Sequence, residues 1–276
     1  VLWLPLAVFA LATWSVQRVV TKAALLKWST ARFYRWNAIV SLLVYAPFAV
    51  LVPPRGEALA GALGLSLLMA LTFGVTTEAT RRGPVGVVAP LTASSPALTV
   101  LLAIVFLGER PDALALAGVG CAIVAAILLA LRPVEAELGS WIGLALASLA
   151  LQGVGAFIAK VVVTEGGPTT LLITSVLVQL AVGIAIARRV PLDLAGSVRG
   201  MPLVVTLTLA AAALATVGYL SALSVGPASL IVPLVATSPA LGGLLGILVL
   251  KEAVTRRQAL GIAIGVVGIV LLARPS

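Results

Sequence analysis

The chain has 276 residues, 61% of them hydrophobic and 10% charged, with a mean hydropathy of +1.21. A soluble domain carries roughly 25% charged residues, so this composition cannot clothe a water-facing surface. It excludes an ordinary globular enzyme, and it excludes a nucleic-acid-binding domain, which needs a basic face on a soluble fold. The net charge of +9 fits a membrane protein whose cytoplasmic loops are rich in Lys and Arg.

A helix that crosses about 30 Å of hydrocarbon needs about 20 apolar residues. Runs of that kind fall at roughly 2–25, 33–52, 58–80, 84–107, 113–131, 141–163, 168–188, 201–223, 227–250 and 257–273. Turn and charge signals separate them, among them Pro53-Pro54-Arg55-Gly56, Arg81-Arg82-Gly83-Pro84, Gly108-Glu109-Arg110-Pro111 and Gly166-Gly167-Pro168. The first run has no basic segment ahead of Ala10-Leu11-Ala12 and stays apolar to Leu25, so it is read as a retained helix and not a leader. The expected fold class is an all-α membrane protein of ten transmembrane helices.

The chain repeats itself. With Gly83-Pro84 written over Gly226-Pro227 and no gaps, 19 of 48 positions match between 83–130 and 226–273. Apolar composition explains many Leu and Ala matches. It does not explain Pro90 over Pro233, Ser95-Pro96-Ala97-Leu98 over Ser238-Pro239-Ala240-Leu241, or Glu109 over Glu252. A weaker match joins Trp3–Lys22 to Trp141–Lys160. Two units follow, 1–133 and 134–276, each with five spans. Five is odd, so the second unit enters the membrane from the opposite side, an inverted repeat with its binding site near the midplane.

The pattern of Gly-Pro, an apolar helix broken at Ser-Pro, Leu-Gly-Glu and a glycine-rich helix resembles the EamA repeat. That repeat defines the ten-helix members of the drug/metabolite transporter superfamily. The resemblance implies two halves around a central cavity and a secondary transporter that exports small metabolites by alternating access. Amino acids and aromatic compounds are the implied cargo; a lipid or polyprenyl-carrier flippase on the same scaffold is the alternative. It implies no cofactor or metal, and a single copy of the chain, with membrane lipids and a small-molecule substrate as its partners, in a bacterial inner membrane. The second half departs from the pattern with Lys251 where Gly108 stands, and the first has Glu78 and Arg81-Arg82 where the second has Ser221, Ser224 and Val225.

Polar residues inside spans are costly in lipid and point to a protein interior or a wet cavity. Thr13, Gln17 and Thr21 form such a stripe on the first span, beside Trp14 and Arg18. Trp14 is either packing or a stacking wall for a flat substrate. Arg18 either pairs with a substrate carboxylate or reaches headgroups and helix carbonyls. Asn37, Thr76, Ser95, Gln152 and Ser238 complete the candidate lining. Pro90, Pro96, Pro233 and Pro239 break the fourth and ninth spans at matching places and are candidate hinges. Lys22 and Lys160 are read as snorkelling anchors, and Trp3, Trp28 and Trp141 as interfacial belt residues.

Glu78 is the only acidic residue inside a span, with Arg81 and Arg82 at salt-bridge spacing. It is either structural or a site for an amine or a proton. An enzyme usually needs convergent His, Asp or Glu. With no His and one such carboxylate, catalysis is not expected, and proton coupling is expected to be weak or absent. The odd-numbered loops hold 11 Lys and Arg against 3 in the even loops and termini, which predicts cytoplasmic odd loops and periplasmic termini.

Overall fold

Backbone amides find no water in hydrocarbon, so apolar runs such as these satisfy them within their own helix. The computed structural model describes residues 2–25, 30–82, 88, 91–130, 141–187, 203–250 and 255–273, and among them there is no strand. The first elements are α1 (Trp3–Leu25), α2 (Thr30–Leu51), α3 (Leu59–Arg82), α4 (Ser95–Leu107) and α5 (Ala113–Ala130). A helical run Trp141–Ala187 follows. Gly167, at φ 75° and ψ 158°, divides it into α6 (141–166) and α7 (168–187), at the break expected from Gly166-Gly167-Pro168. Residues with a Cβ rarely adopt that backbone geometry. The chain closes with α8 (Leu203–Val225), α9 (Ala228–Ala236), α10 (Ser238–Leu250) and α11 (Arg256–Leu272).

Among the described residues, Gly56–Thr76, Trp141–Val182 and Leu203–Val225 are long and apolar enough to cross a membrane. Shorter apolar helices cover Trp3–Gln17, Trp36–Leu51, Leu91–Leu107, Ala113–Leu129 and Ala228–Gly242. Polarity is distributed as lipid requires. Large side chains such as Val50, Phe73, Phe106 and Leu203 face outward, while the hydroxyls of Ser15, Ser66, Thr99, Ser148 and Thr170 are buried. A soluble protein would not expose so much apolar surface.

The duplication is visible in the packing. Gly118, early in α5, lies under Leu271 and Leu272 at the end of α11; Gly261, early in α11, lies under Leu128 and Leu129 at the end of α5. In the register of the sequence repeat these two contacts are one contact made twice. The start of each helix meets the end of the other, so the matched helices run antiparallel, as a two-fold axis in the membrane plane would require. The first helix of each half also packs on the third helix of the other: α1 on α8, and α6 on α3. The halves are therefore interleaved.

Two expectations need correction. Trp3 and Trp141 are only 6% and 7% exposed, so they do not form a lipid-facing belt. Trp3 covers Gly226, where an added Cβ would run into the indole ring. Trp141 packs with Ala79, Val88 and Ala145. Trp28 lies outside the described residues.

Candidate functional site

The fourth helix and its counterpart are broken at the same point for the same reason. Ser94 (φ −84°, ψ −2°) and Thr237 (φ −77°, ψ −3°) each form a turn in which their N–H donates at 3.2 Å to a carbonyl three residues back, Leu91 and Leu234. Pro96 and Pro239 follow two positions later, and proline has no N–H with which to continue the ladder. Pro96 and Pro233 are buried and Pro239 is half-buried; Pro90 lies outside the described residues.

The first helix of the opposite half crosses each break closely. On one side the Ser15 hydroxyl of α1 donates to Leu11 O at 2.6 Å and lies 3.2 Å from Ser238 O. On the other, Gly153 of α6 lies against Ser95, so that an added Cβ would sit 2.9 Å from the Ser95 carbonyl oxygen. Thr99 of α4 donates to Gly153 O at 3.0 Å and fixes this second crossing. Ser15 and Gly153 are equivalent positions in the repeat, as are Ser238 and Ser95.

What flanks the crossings differs. Beside Gly153, Gln152 donates to Ser148 Oγ at 2.9 Å, and Ser148 Oγ lies 2.5 Å from Thr76 Oγ1. A longer contact of 3.5 Å joins Gln152 directly to Thr76. Beside Ser15, the equivalent positions are Trp14, Ala10 and Tyr219. The Trp14 and Tyr219 rings are 5.3 Å apart and tilted by 55°, and the Trp14 indole donates to Ala212 O at 3.3 Å. One crossing carries an amide and two hydroxyls, the other an aromatic pair.

The structure thus brings Thr76, Gln152 and Ser95 to one crossing and Trp14 and Ser238 to the other. Gln17 is half-buried on α1, and the Arg18 side chain lies outside the described residues. Asn37 is half-buried beside Trp36, whose indole donates to Thr206 Oγ1 at 3.0 Å. Glu78 accepts from Arg82 Nε on the partly exposed end of α3. Sequence reasoning missed Ser148 and Tyr219. Carrying the repeat register back into the first and third helices would have found Tyr219 opposite Thr76.

A second cluster lies at one end of the bundle. Gly108 takes a left-handed conformation (φ 65°) after α4 and turns Glu109 toward the other half. Both Glu109 carboxylate oxygens accept backbone N–H bonds at 2.8 Å, from Ala228 and Ser229 at the start of α9. Lys160 does not snorkel: its ammonium donates to Leu223 O at 2.6 Å and Gly226 O at 2.9 Å, at the end of α8. Negative charge at a helix N-terminus and positive charge at a C-terminus each complement the helix dipole. Arg55 ties the same end together, its backbone N–H donating to Thr170 Oγ1 and its guanidinium to Glu165 O.

The sequence profile of the EamA-like transporter family matches residues 1–131 and again 139–274. No curated protein matches the chain. Among solved structures, one titled only "Crystal structure of protein" superposes with a TM-score of 0.76 at 14% identity, over 98% of this chain and 95% of that one. At that identity the likeness speaks for the fold alone.

Proposed function

The chain belongs to the EamA-like transporter family, a family of multi-pass membrane transporters of small molecules, and from that premise we propose an exporter of amino acids or aromatic metabolites that works by alternating access as an uncoupled facilitator. Its helices are read as ten spans in two inverted units, 1–133 and 134–276, with α9 and α10 forming one broken span. The antiparallel contact of α5 with α11 supports this reading.

The observation that carries the substrate class is the unequal pair of crossings. Trp14 and Tyr219 offer flat apolar surface, while Gln152, Thr76 and Ser148 offer hydrogen bonds. A solute with an aromatic or apolar body and a polar head matches both. Gln17 and Arg18 follow Trp14 on α1 and supply further polar groups, Arg18 being suited to a carboxylate. The breaks at Ser94 and Thr237, with Pro90, Pro96, Pro233 and Pro239, are the hinges in this reading.

The test is uptake into proteoliposomes of a panel of labelled amino acids and small aromatics. Concentration-dependent uptake of one of them, without accumulation under a pH gradient, is expected. Movement of a lipid reporter with no soluble solute moving makes the protein a flippase instead. In this reading both termini are periplasmic, as the Lys and Arg bias of the loops predicts. A C-terminal alkaline phosphatase fusion should therefore be active and a green fluorescent protein fusion dark.

A further inference from the structure

We propose that Glu109 and Lys160 are the two halves of a latch that holds one end of the bundle shut and releases when that end opens. The proposal takes its purpose from the transporter reading but not its test.

The contacts have the properties a latch needs. Glu109 stands on the α4–α5 connection of the first half, and its two acceptors close on the second half at Ala228 and Ser229. Lys160 holds the other side of the same Gly226-Pro227 break, and its charge lies near enough to Glu109 for the two to interact. Together they supply four charge-assisted hydrogen bonds to helix-end groups. Those groups have no partner inside their own helices. Water can satisfy them equally, so α8 and α9 remain helices when the charges withdraw. Release requires only that water reach the break, which is what opening that end means.

The contact between α5 and α11 has no such freedom. Gly118 and Gly261 lie directly beneath leucine side chains, and separating them exposes packed apolar surface with nothing gained in exchange. Glu109 and Gly226-Pro227 also recur in the sequence of the other half, as Glu252 and Gly83-Pro84, outside the described residues.

The break is shielded in the latched state: Ser229 is 1% exposed. The test uses the full chain in membranes with Cys121→Ser, so that one introduced thiol reports. Ser229→Cys is the reporter; Ala215→Cys, at a position 0% exposed in α8, reports general loosening. Alkylation by a membrane-impermeant charged maleimide is timed with Glu109→Gln and, separately, Lys160→Met. Each should speed labelling at position 229 by about tenfold or more, the factor expected when a charge-assisted hydrogen bond is lost. Labelling at position 215 should stay slow, and Lys160→Arg should restore slow labelling at 229.

Unchanged labelling at 229 in either variant overturns the paired latch. So does faster labelling at both positions, which makes the charges general supports of the fold. A protein that moves no solute yet shows selective acceleration at 229 keeps the latch and loses the transporter reading.

Discussion

The two halves of this protein share a backbone but not a lining. Ser94 and Thr237 break their helices with nearly the same dihedrals, and Ser15 and Gly153 press against matching carbonyls. Around that common frame, Trp14 and Tyr219 stand at one crossing where Gln152 and Thr76 stand at the other. Backbone geometry in a duplicated membrane protein is constrained twice, because each interface is built from both copies. Side chains beside the crossing are not constrained in this way, and they are free to become unlike. A symmetric frame can then hold an asymmetric solute.

The largest effect is expected where the symmetry is tightest. Gly118→Leu would drive a branched side chain into Leu271 and Leu272, and Gly261→Leu would do the same against Leu128 and Leu129. Overpacking of this kind costs about 1–3 kcal/mol, and both variants should fall near the upper end. Reversible unfolding in mixed micelles should give losses within about 1 kcal/mol of each other, given the context dependence of such values. A severe loss at one site with none at the other would break the equivalence of the two contacts.

A smaller effect separates the linings. Gln152→Leu removes the amide that donates to the Ser148 and Thr76 hydroxyls, and Trp14→Ala removes one ring of the aromatic pair. For a transported aromatic amino acid, each should lower flux by about tenfold, equivalent to about 1.4 kcal/mol of lost binding. The two should differ in selectivity. Trp14→Ala should penalise aromatic solutes more than small polar ones, whereas Gln152→Leu should penalise both. Equal penalties from both variants across the solute panel would remove the division of labour.

Much of the frame was legible in the sequence because rare residues carry it. Proline lacks a donor, and glycine alone permits close approach, so matched Pro and Gly positions announce matched geometry. The lining was less legible. Tyr219 reads as one aromatic in an apolar helix until Thr76 is set against it, and Ser148 reads as a hydroxyl that satisfies its own helix. Lys160 was misread for a physical reason. A lysine near a helix end in a membrane has two good destinations, headgroups or the carbonyls of another helix end. Only the break at Gly226-Pro227, brought close by folding, decides for the second. Trp3 and Trp141 were misread likewise, because distance from a span's end says nothing about which helix covers it.

The smallest effect is expected at Glu78, and there the halves make the sharpest contrast. The first half pairs Glu78 with Arg82; the second has Ser221 and Val225 at those positions. The pair is partly exposed, with side chains 33% and 50% accessible. Exposed pairs of this kind contribute about 0–1 kcal/mol, and helical pairs four residues apart less than half of that upper value. If Glu78 is structural, Glu78→Gln should shift the unfolding midpoint barely at all and leave solute flux unchanged. A residue that couples protons behaves differently: its neutral replacement abolishes accumulation driven by a pH gradient while sparing exchange at equal pH. The decisive comparison is therefore accumulation with and without a pH gradient, in the native chain and in Glu78→Gln proteoliposomes. Gradient-driven accumulation in neither supports the facilitator. Accumulation in the native chain alone would make Glu78 the proton site, and accumulation in both would place coupling at another group.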